Sequence, residues 1–295
     1  MKCGIFVLSV SILVLYFIYK DRSSQAFFKP VKTVKPEYQG VMTYNIQYLP
    51  WKTKPLQTLR EISRGYPILY LQECYNRFTS LDLSSIFPEY YITRGKLQGV
   101  ALVNSGLVTL SKFPILSYKL ITFKNYRPYT SDTLSEKGFL ETVIDINGSK
   151  VCCINTHLQS SDHAEFDPIV LDQLQEIQDY LQTVKIPYMI GGDFNIDVNV
   201  LHENYMGLSN GLRTSSPTSP TIYMNLKSGE TSPKPAKGYG AYVFDYFLMH
   251  PSILSKQAVC EVNEYSDHNP VYLLFENEKQ DESNDNHTLN HNHIK

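Results

Sequence analysis

Side chains of the kinds that bind cations and move protons recur at the ends of apolar runs along this chain. Asn45 closes the run that begins at Val41, Glu73 follows Ile68 to Gln72, and His157 follows Val151 to Thr156. Asp193 and Asn195 follow the run from Tyr188 to Gly192, Asp245 interrupts Tyr242 to Met249, and Asp267 and His268 precede Val271 to Phe275. Any one of them has an ordinary structural use, because Asn and Asp terminate strands and favour turns. Together they supply carboxylates that can hold a hard cation and imidazoles that titrate near neutral pH. That inventory suits hydrolysis of an anionic ester, which needs charge neutralisation, an activated water and a stabilised leaving oxygen.

Bringing these ends together requires strands that finish at one edge. Val41 to Ile46, Ile68 to Gln72, Tyr188 to Gly191, Tyr242 to Met249 and Val271 to Phe275 read as strands, and Val100 to Leu110 as a strand pair around Asn104-Ser105-Gly106. Phe139 to Ile146 and Val151 to Thr156 flank Asn147-Gly148, a hairpin signal because both residues tolerate positive φ. Leu56 to Arg64 reads as a helix. Pro168 to Leu181 reads as an amphipathic helix with Ile169, Leu171, Leu174, Ile177, Tyr180 and Leu181 on its apolar face. Many strands with few crossover helices, and no internal repeat, predict one domain of stacked sheets with helices outside. Arg213 to Gly240 is rich in Pro, Ser and Thr and reads as a long loop, either a mobile functional element or poorly ordered.

The ordered set Asn45, Glu73, Thr156-His157, Gly192-Asp193-Phe194-Asn195, Asp245-Tyr246 and Ser266-Asp267-His268 resembles the endonuclease/exonuclease/phosphatase superfamily over residues 39–275. The resemblance implies a deoxyribonuclease-like α/β/β/α sandwich of four layers built on two stacked mixed sheets. It implies Glu73 as a metal ligand with Asn45 beside it, and Asp267 as a ligand for a second metal or a support for His268. The implied metal is Mg²⁺, with Mn²⁺ or Co²⁺ able to take its place. His268 is the expected general base, and Asp245 would orient it and stabilise its cationic form. Asp193 and Asn195 would position the water and a phosphate oxygen, and His157 would donate to the transition state.

Within that superfamily the chain is similar to the neutral sphingomyelinase branch. Asp132-Thr-Leu-Ser-Glu-Lys137-Gly138-Phe139 carries an aspartate five residues before a lysine, and Lys137 would contact phosphate once Asp132 fixes its loop. His157-Leu-Gln159 and Gln173-Leu174-Gln175-Glu176-Ile177 resemble the His-Leu-Gln and Gln-Leu-x-Glu-Ile runs of the branch. One departure is the absence of a tryptophan-containing Asp-Pro segment, since the single tryptophan is Trp51. Ile222-Tyr223-Met224 and Tyr239 to Tyr242 offer aromatic surface for a membrane or a choline group instead. The implied activity is a metal-dependent phosphodiesterase that hydrolyses sphingomyelin, or a related phospholipid, to ceramide and phosphocholine by in-line attack of an activated water. An endonuclease of the same superfamily and an inactive membrane-tethered binding protein are the alternatives.

Composition weighs against nucleic acid as partner. The 295 residues hold 27 Lys plus Arg against 29 Asp plus Glu, a formal charge of −2, whereas nucleic-acid binding draws on a basic surface. Ile5 to Ile18 is uncharged and mostly apolar, so residues 1–22 are expected to be an anchor or a signal, followed by a linker over 23–38. That segment implies attachment to a membrane, or secretion if it is cleaved. Residues 276–295 are expected to be a disordered polar tail whose His287, His291 and His293 are solvated. Five cysteines give no disulfide framework and are expected as buried thiols.

Overall fold

The structure, a computed structural model, describes residue 21 and residues 25–49, 52, 54–75, 79–99, 101–128, 130–160, 168–204, 212–225 and 227–277. The apolar run from Ile5 to Ile18, and the tail from residue 278 with His287, His291 and His293, lie outside them. In chain order the first elements are β1 (Phe27–Phe28), β2 (Gly40–Tyr48), α1 (Leu56–Ile62), β3 (Ile68–Cys74), α2 (Thr79–Ile86), β4 (Tyr91–Arg94), β5 (Val108–Ser111) and β6 (Ile115–Thr122). Next come β7 (Gly138–Ile146), β8 (Ser149–His157), α3 (Pro168–Leu181), β9 (Tyr188–Asp193), α4 (Val198–Asn204), β10 (Arg213–Ser215), β11 (Ile222–Met224) and β12 (Thr231–Ser232). The last are β13 (Gly240–Tyr242), β14 (Asp245–Met249), β15 (Ile253–Ser255), β16 (Val259–Cys260) and β17 (Val271–Asn277).

Period-two alternation in the strands builds the layers. One sheet runs in the order β1-β4-β5-β3-β2-β17-β15, with β16 also paired to β17, and the other runs β10-β14-β9-β8-β7-β6. Val41, Ile68, Tyr70, Val271 and Leu273 of the first face Ile144, Val151, Cys153, Met189, Phe247 and Met249 of the second in one buried cluster. The intervening residues point outward. Met42, Tyr44, Leu69 and Leu71 pack against Leu59 and Ile62 of α1 and Leu83 of α2. Cys152, Ile154, Ile190 and Leu248 pack against Val170, Leu174, Ile177 and Leu181 of α3 and Leu201 of α4. The four-layer α/β/β/α sandwich expected from the sequence is the fold observed.

Each sheet contains one parallel pair, β2 with β3 and β8 with β9. Each pair is joined by a helical crossover, α1 or α3, as parallel neighbours require. The β7–β8 hairpin turns at Asn147 (φ 55°) and Gly148 (φ 92°), as the sequence predicts. Cys74, Cys152 and Cys153 are buried free thiols.

Several expectations are corrected. Of the described residues between Val100 and Leu110, only Val108 to Leu110, which open β5, belong to a regular strand. Upstream of it Asn104 Oδ1 accepts from Gly106 N and Ser105 Oγ from Leu107 N, so local side-chain bonds replace a ladder. Tyr242 to Met249 is two strands in different sheets, because Val243 N donates to Asp197 and Phe244 N to Thr221 Oγ1. The Pro-, Ser- and Thr-rich segment is not a plain loop: β11, β12 and β13 make an antiparallel sheet of three strands. On α3 the buried residues are Val170, Gln173, Leu174, Ile177 and Leu181, so a glutamine enters a face read as wholly apolar. The membrane anchor and the membrane localisation expected from it are also withdrawn. Among the described residues no helix is long and apolar enough to cross a membrane.

Candidate active site

The inward-facing rows of both sheets end in polar residues at one edge of the sandwich. Along β2 the inward positions are Val41, Thr43 and Asn45, and along β8 they are Val151, Cys153, Asn155 and His157. His157 pairs in register with Asp193 at the end of β9, and Asp193 with Asp245 at the start of β14. Glu73 breaks the alternation, since the period that turns Leu69 and Leu71 outward would take it toward the helices. Its left-handed backbone (φ 55°) redirects it, and its Oε1 accepts from Asn45 Nδ2 at 3.0 Å. Asn195 (φ 50°) is likewise left-handed and donates from Nδ2 to Leu158 O at 3.0 Å. Gly192 is required by space: a Cβ there would lie 2.0 Å from Thr156 O.

Asp193 is the hub of this edge. Its Oδ2 accepts from Asn45 Nδ2 at 3.0 Å and lies 3.5 Å from Nε2 of both His157 and His268. Its Oδ1 accepts from Asn195 N at 3.0 Å. His268 Nδ1 is 2.8 Å from Asp245 Oδ2, with both side chains buried. Asp267 stands beside the hub rather than in it: Oδ2 accepts from Gln47 Nε2 (3.0 Å) and Thr231 Oγ1 (2.7 Å), and Oδ1 from Ser266 Oγ (3.1 Å). Lys137 Nζ donates to Leu158 O at 3.0 Å and pairs with Asp132 at 3.3 Å. Asp132 Oδ2 also accepts from Gln159 Nε2 at 2.8 Å and Ser160 N at 2.6 Å. All ten residues singled out from the sequence therefore converge on one edge.

Electrostatics distinguish the two histidines. Burial drives the His157 imidazole well below its usual pKa, with Lys137 and His268 adding to the effect, so it is neutral. Burial acts the same way on His268, but the carboxylates of Asp245 and Asp193 outweigh it and hold its pKa well above the ordinary value. Burial raises Glu73 and pushes Asp193 up to about 6, each opposed by a hydrogen bond from Asn45. Asp267 goes the other way: burial would raise it, but His268 and the Thr231 and Ser266 hydroxyls bring it below the carboxylate norm.

These residues fit a hard divalent cation. Four carboxylates, Glu73, Asp193, Asp245 and Asp267, crowd one edge against the positive charges of Lys137 and His268. The donors are oxygens of the kind such a cation prefers. Asp193, Asp245 and His268 lie close enough together to be read as a metal cluster themselves. The 2.8 Å Asp245–His268 contact assigns that trio to proton chemistry instead, because it takes up Nδ1 and leaves Nε2 as the nitrogen able to accept a proton from water.

Sequence reasoning missed the residues that support this edge. Gln72 Nε2 donates to Thr43 Oγ1 and, at 2.7 Å, to Asn155 Oδ1, bridging the two sheets directly beneath the site. Gln47 (φ 45°) and Thr231 hold Asp267, and nothing in the pattern of an apparent loop marked Thr231.

No family model matches the chain. It is 31% identical over 169 residues to the sphingomyelinase C of Listeria ivanovii, covering 52% of this chain and 49% of that one. The chain thus spans about half the length of that relative. Among solved structures, a Staphylococcus aureus beta toxin with bound magnesium ions is similar with a TM-score of 0.60 and 23% identity, covering 80% of this chain and 98% of that one. A D. rerio TDP2 in complex with a single-strand DNA product has a TM-score of 0.64 and 15% identity, covering 82% and 100%. At those identities the likeness speaks to the fold. In sequence the chain is similar to sphingomyelinases C, and in fold it is similar to solved structures of a sphingomyelinase C and of an endonuclease/exonuclease/phosphatase.

Proposed function

We propose that residues 39–275 form a phosphodiesterase domain that hydrolyses sphingomyelin, or a close phospholipid, to ceramide and phosphocholine. The observation that carries this reading is the edge itself, where an Asp245–His268 pair, a neutral histidine, a lysine and two further carboxylates surround Asp193. Glu73 and Asn45 would hold Mg²⁺, with Asp267 close by. When bound, such an ion would neutralise phosphate charge and, opposing the carboxylate fields at His268, favour the deprotonated imidazole.

His268 Nε2 then takes a proton from the attacking water, and Asp245 at Nδ1 keeps the ring oriented and stabilises the imidazolium that forms. The water oxygen bonds to phosphorus as the bond from phosphorus to the ceramide oxygen breaks, and that oxygen takes its proton from solvent. His157, neutral, donates from Nε2 to a phosphate oxygen, and Lys137 offers a fixed positive charge to the same group. Asn195 and Asp193 hold the water and phosphate in line.

The sphingomyelinase reading is favoured over the endonuclease reading by sequence similarity to a sphingomyelinase C and by the absence of excess basic charge. Phosphocholine release from sphingomyelin micelles should require added Mg²⁺ and vanish in Glu73→Ala and His268→Ala. Release that survives a chelator, or faster cutting of plasmid DNA than of lipid, would overturn the proposal.

A further inference from the structure

Of the buried residues on α3, which are Val170, Gln173, Leu174, Ile177 and Leu181, Gln173 alone is polar. Burying an amide among such neighbours is costly unless each of its groups is bonded, and here both are. Gln173 Oε1 accepts from Gln159 N at 2.8 Å, and Nε2 donates to Asn125 O at 2.8 Å. The first bond bears on the site, because Gln159 N and Leu158 O belong to one peptide unit.

That peptide is trans, so it is planar with its N–H and C=O pointing in opposite directions. Holding the N–H at Gln173 therefore aims the Leu158 carbonyl the other way, where it accepts from Lys137 Nζ and from Asn195 Nδ2, each at 3.0 Å. The two groups assigned above to the phosphate and the attacking water thus share one acceptor, whose direction is set from a helix outside the edge. We propose that Gln173 is a positioning residue for phosphodiester hydrolysis, acting through the Leu158–Gln159 peptide to hold Lys137 and Asn195 in place. This rests on the phosphodiesterase reading and deepens it.

The buried Gln159 side chain extends the same linkage. Its Nε2 donates to Asp132 Oδ2 at 2.8 Å, which also accepts from Ser160 N at 2.6 Å, and Asp132 Oδ1 pairs with Lys137 at 3.3 Å. Lys137 is consequently held at two points, Leu158 O and Asp132, and both lead back to the residue whose amide Gln173 pins. A lysine ammonium rides on a flexible four-carbon stem, so fixing it before substrate arrives avoids ordering it during the reaction. The other side of the frame is bound to the helix as well. Lys124 N and Asn125 N donate to the Glu176 carboxylate, one turn beyond Gln173 on α3, and Arg127 N donates to Gln159 Oε1 at 3.2 Å. Helix, loop and peptide therefore form one bonded unit behind the lysine.

A glutamine kept only to satisfy buried backbone groups would affect stability alone, and a double-mutant cycle on the full chain with Mg²⁺ separates the two roles. Gln173→Met keeps the volume and removes both bonds. At a temperature where circular dichroism shows every variant folded, it should lower kcat on sphingomyelin about 10- to 100-fold. In a Lys137→Met background the loss should be smaller by about threefold or more, because Gln173 then has no ammonium to position. Gln173→Glu keeps an oxygen facing Gln159 N in either protonation state and should retain most of the rate. Gln173→Asn, which draws the amide back by one carbon, takes the place of Gln173→Met in the cycle if the latter does not fold. Exchange of the Gln159 amide proton, followed by NMR without turnover, should accelerate in the variant used. An unchanged kcat, or an equal fold loss with and without Lys137, would refute the positioning role and leave Gln173 a core residue. Wild-type protein that hydrolyses no phosphodiester would overturn the activity instead, and the same cycle read as affinity for inorganic phosphate would still decide whether Gln173 acts through Lys137.

Discussion

The Asp245→Asn substitution isolates the interaction on which the proton chemistry depends. It keeps the shape of the side chain and removes one charge 2.8 Å from His268 Nδ1, between groups that are 0% and 5% exposed. With an effective dielectric near 20, a charge pair at that distance is worth about 6 kcal/mol, and the remaining Asp193 carboxylate at 3.5 Å about 5 kcal/mol. Each pKa unit corresponds to about 1.4 kcal/mol, so losing the nearer carboxylate should lower the His268 pKa by at least ~2 units.

Stability should follow with a definite sign. A histidine whose folded pKa is raised contributes stability that is complete below its unfolded pKa of about 6.5 and fades as pH rises through the folded value. In chelator at pH 6, breaking this buried pair should therefore cost about 3–5 kcal/mol, or roughly 6–15 °C in Tm. Asp245 Oδ1 is buried without a hydrogen-bond partner, so an amide placed there gains nothing to offset the loss. At pH 9 and above the deficit should shrink, because the wild-type carboxylate then sits buried beside a neutral ring. The His268 titration is read by NMR of labelled imidazoles, assigned with His268→Gln. A shift below one unit, or a stability deficit that does not change with pH, would refute the claim that Asp245 holds the proton on His268.

Three further outcomes are expected. Burial raises Asp193 to about 6 against an unfolded value near 4, so this group costs the fold stability as pH rises from about 4 to 6. Asp193→Asn should remove a slope worth about 2–3 kcal/mol across that window in urea unfolding while abolishing phosphodiester hydrolysis. Gly192→Ala would place a Cβ 2.0 Å from Thr156 O, inside the β8–β9 pair, and should cost 3 kcal/mol or more; a Tm within ~2 °C of wild type would contradict the packing described. Thr231→Val removes the hydroxyl that donates to Asp267 at 2.7 Å, and should lower kcat by about tenfold with little change in Tm. Its readout is the Mg²⁺ concentration for half-maximal rate, which should rise if Asp267 serves the metal and stay fixed if it serves only the loop.

Legibility in the sequence followed the period of the strands. Alternation in Val41 to Asn45 and in Val151 to His157 was enough to place Asn45 and His157 on an inward face at a strand end. The strand ends and the hairpin at Asn147-Gly148 were legible for the same reason, because local chemistry and tertiary role agree there. What stayed hidden was set by distant partners. Tyr242 to Met249 has the composition of one strand, and it divides only because Thr221 and Asp197 capture the amides of Phe244 and Val243. The three-stranded sheet of β11 to β13 has strands of two or three residues, too short for periodicity to register. Gln173 looked like the polar margin of an amphipathic helix, and only its bonds to Gln159 and Asn125 disclose its place.

The backbone exceptions explain why the site lies where it does. The two helical crossovers, α1 and α3, each join a parallel pair, and the carboxyl ends of both pairs meet at one edge. Side chains on well-formed strands alternate, so no regular strand can aim two successive polar residues into the same space. Gln72 and Glu73 both face the site region, and that is possible only because Glu73 adopts a left-handed φ at a cost of order 1–3 kcal/mol. Gln47 and Asn195 incur the same kind of strain, each two residues beyond the register at Asn45 and Asp193. Strain at this edge is thus not scattered. It falls where a carboxylate or an amide must leave the pleat to meet a partner from the opposite sheet, and it is borne by the buried Gln72–Asn155 bond and the core beneath. If that is its purpose, Glu73→Gly should relieve the φ strain and stabilise the fold while removing the carboxylate and all hydrolysis. A Glu73→Gly protein less stable than wild type in chelator would show that the left-handed turn is held by the Asn45 contact rather than strained against it.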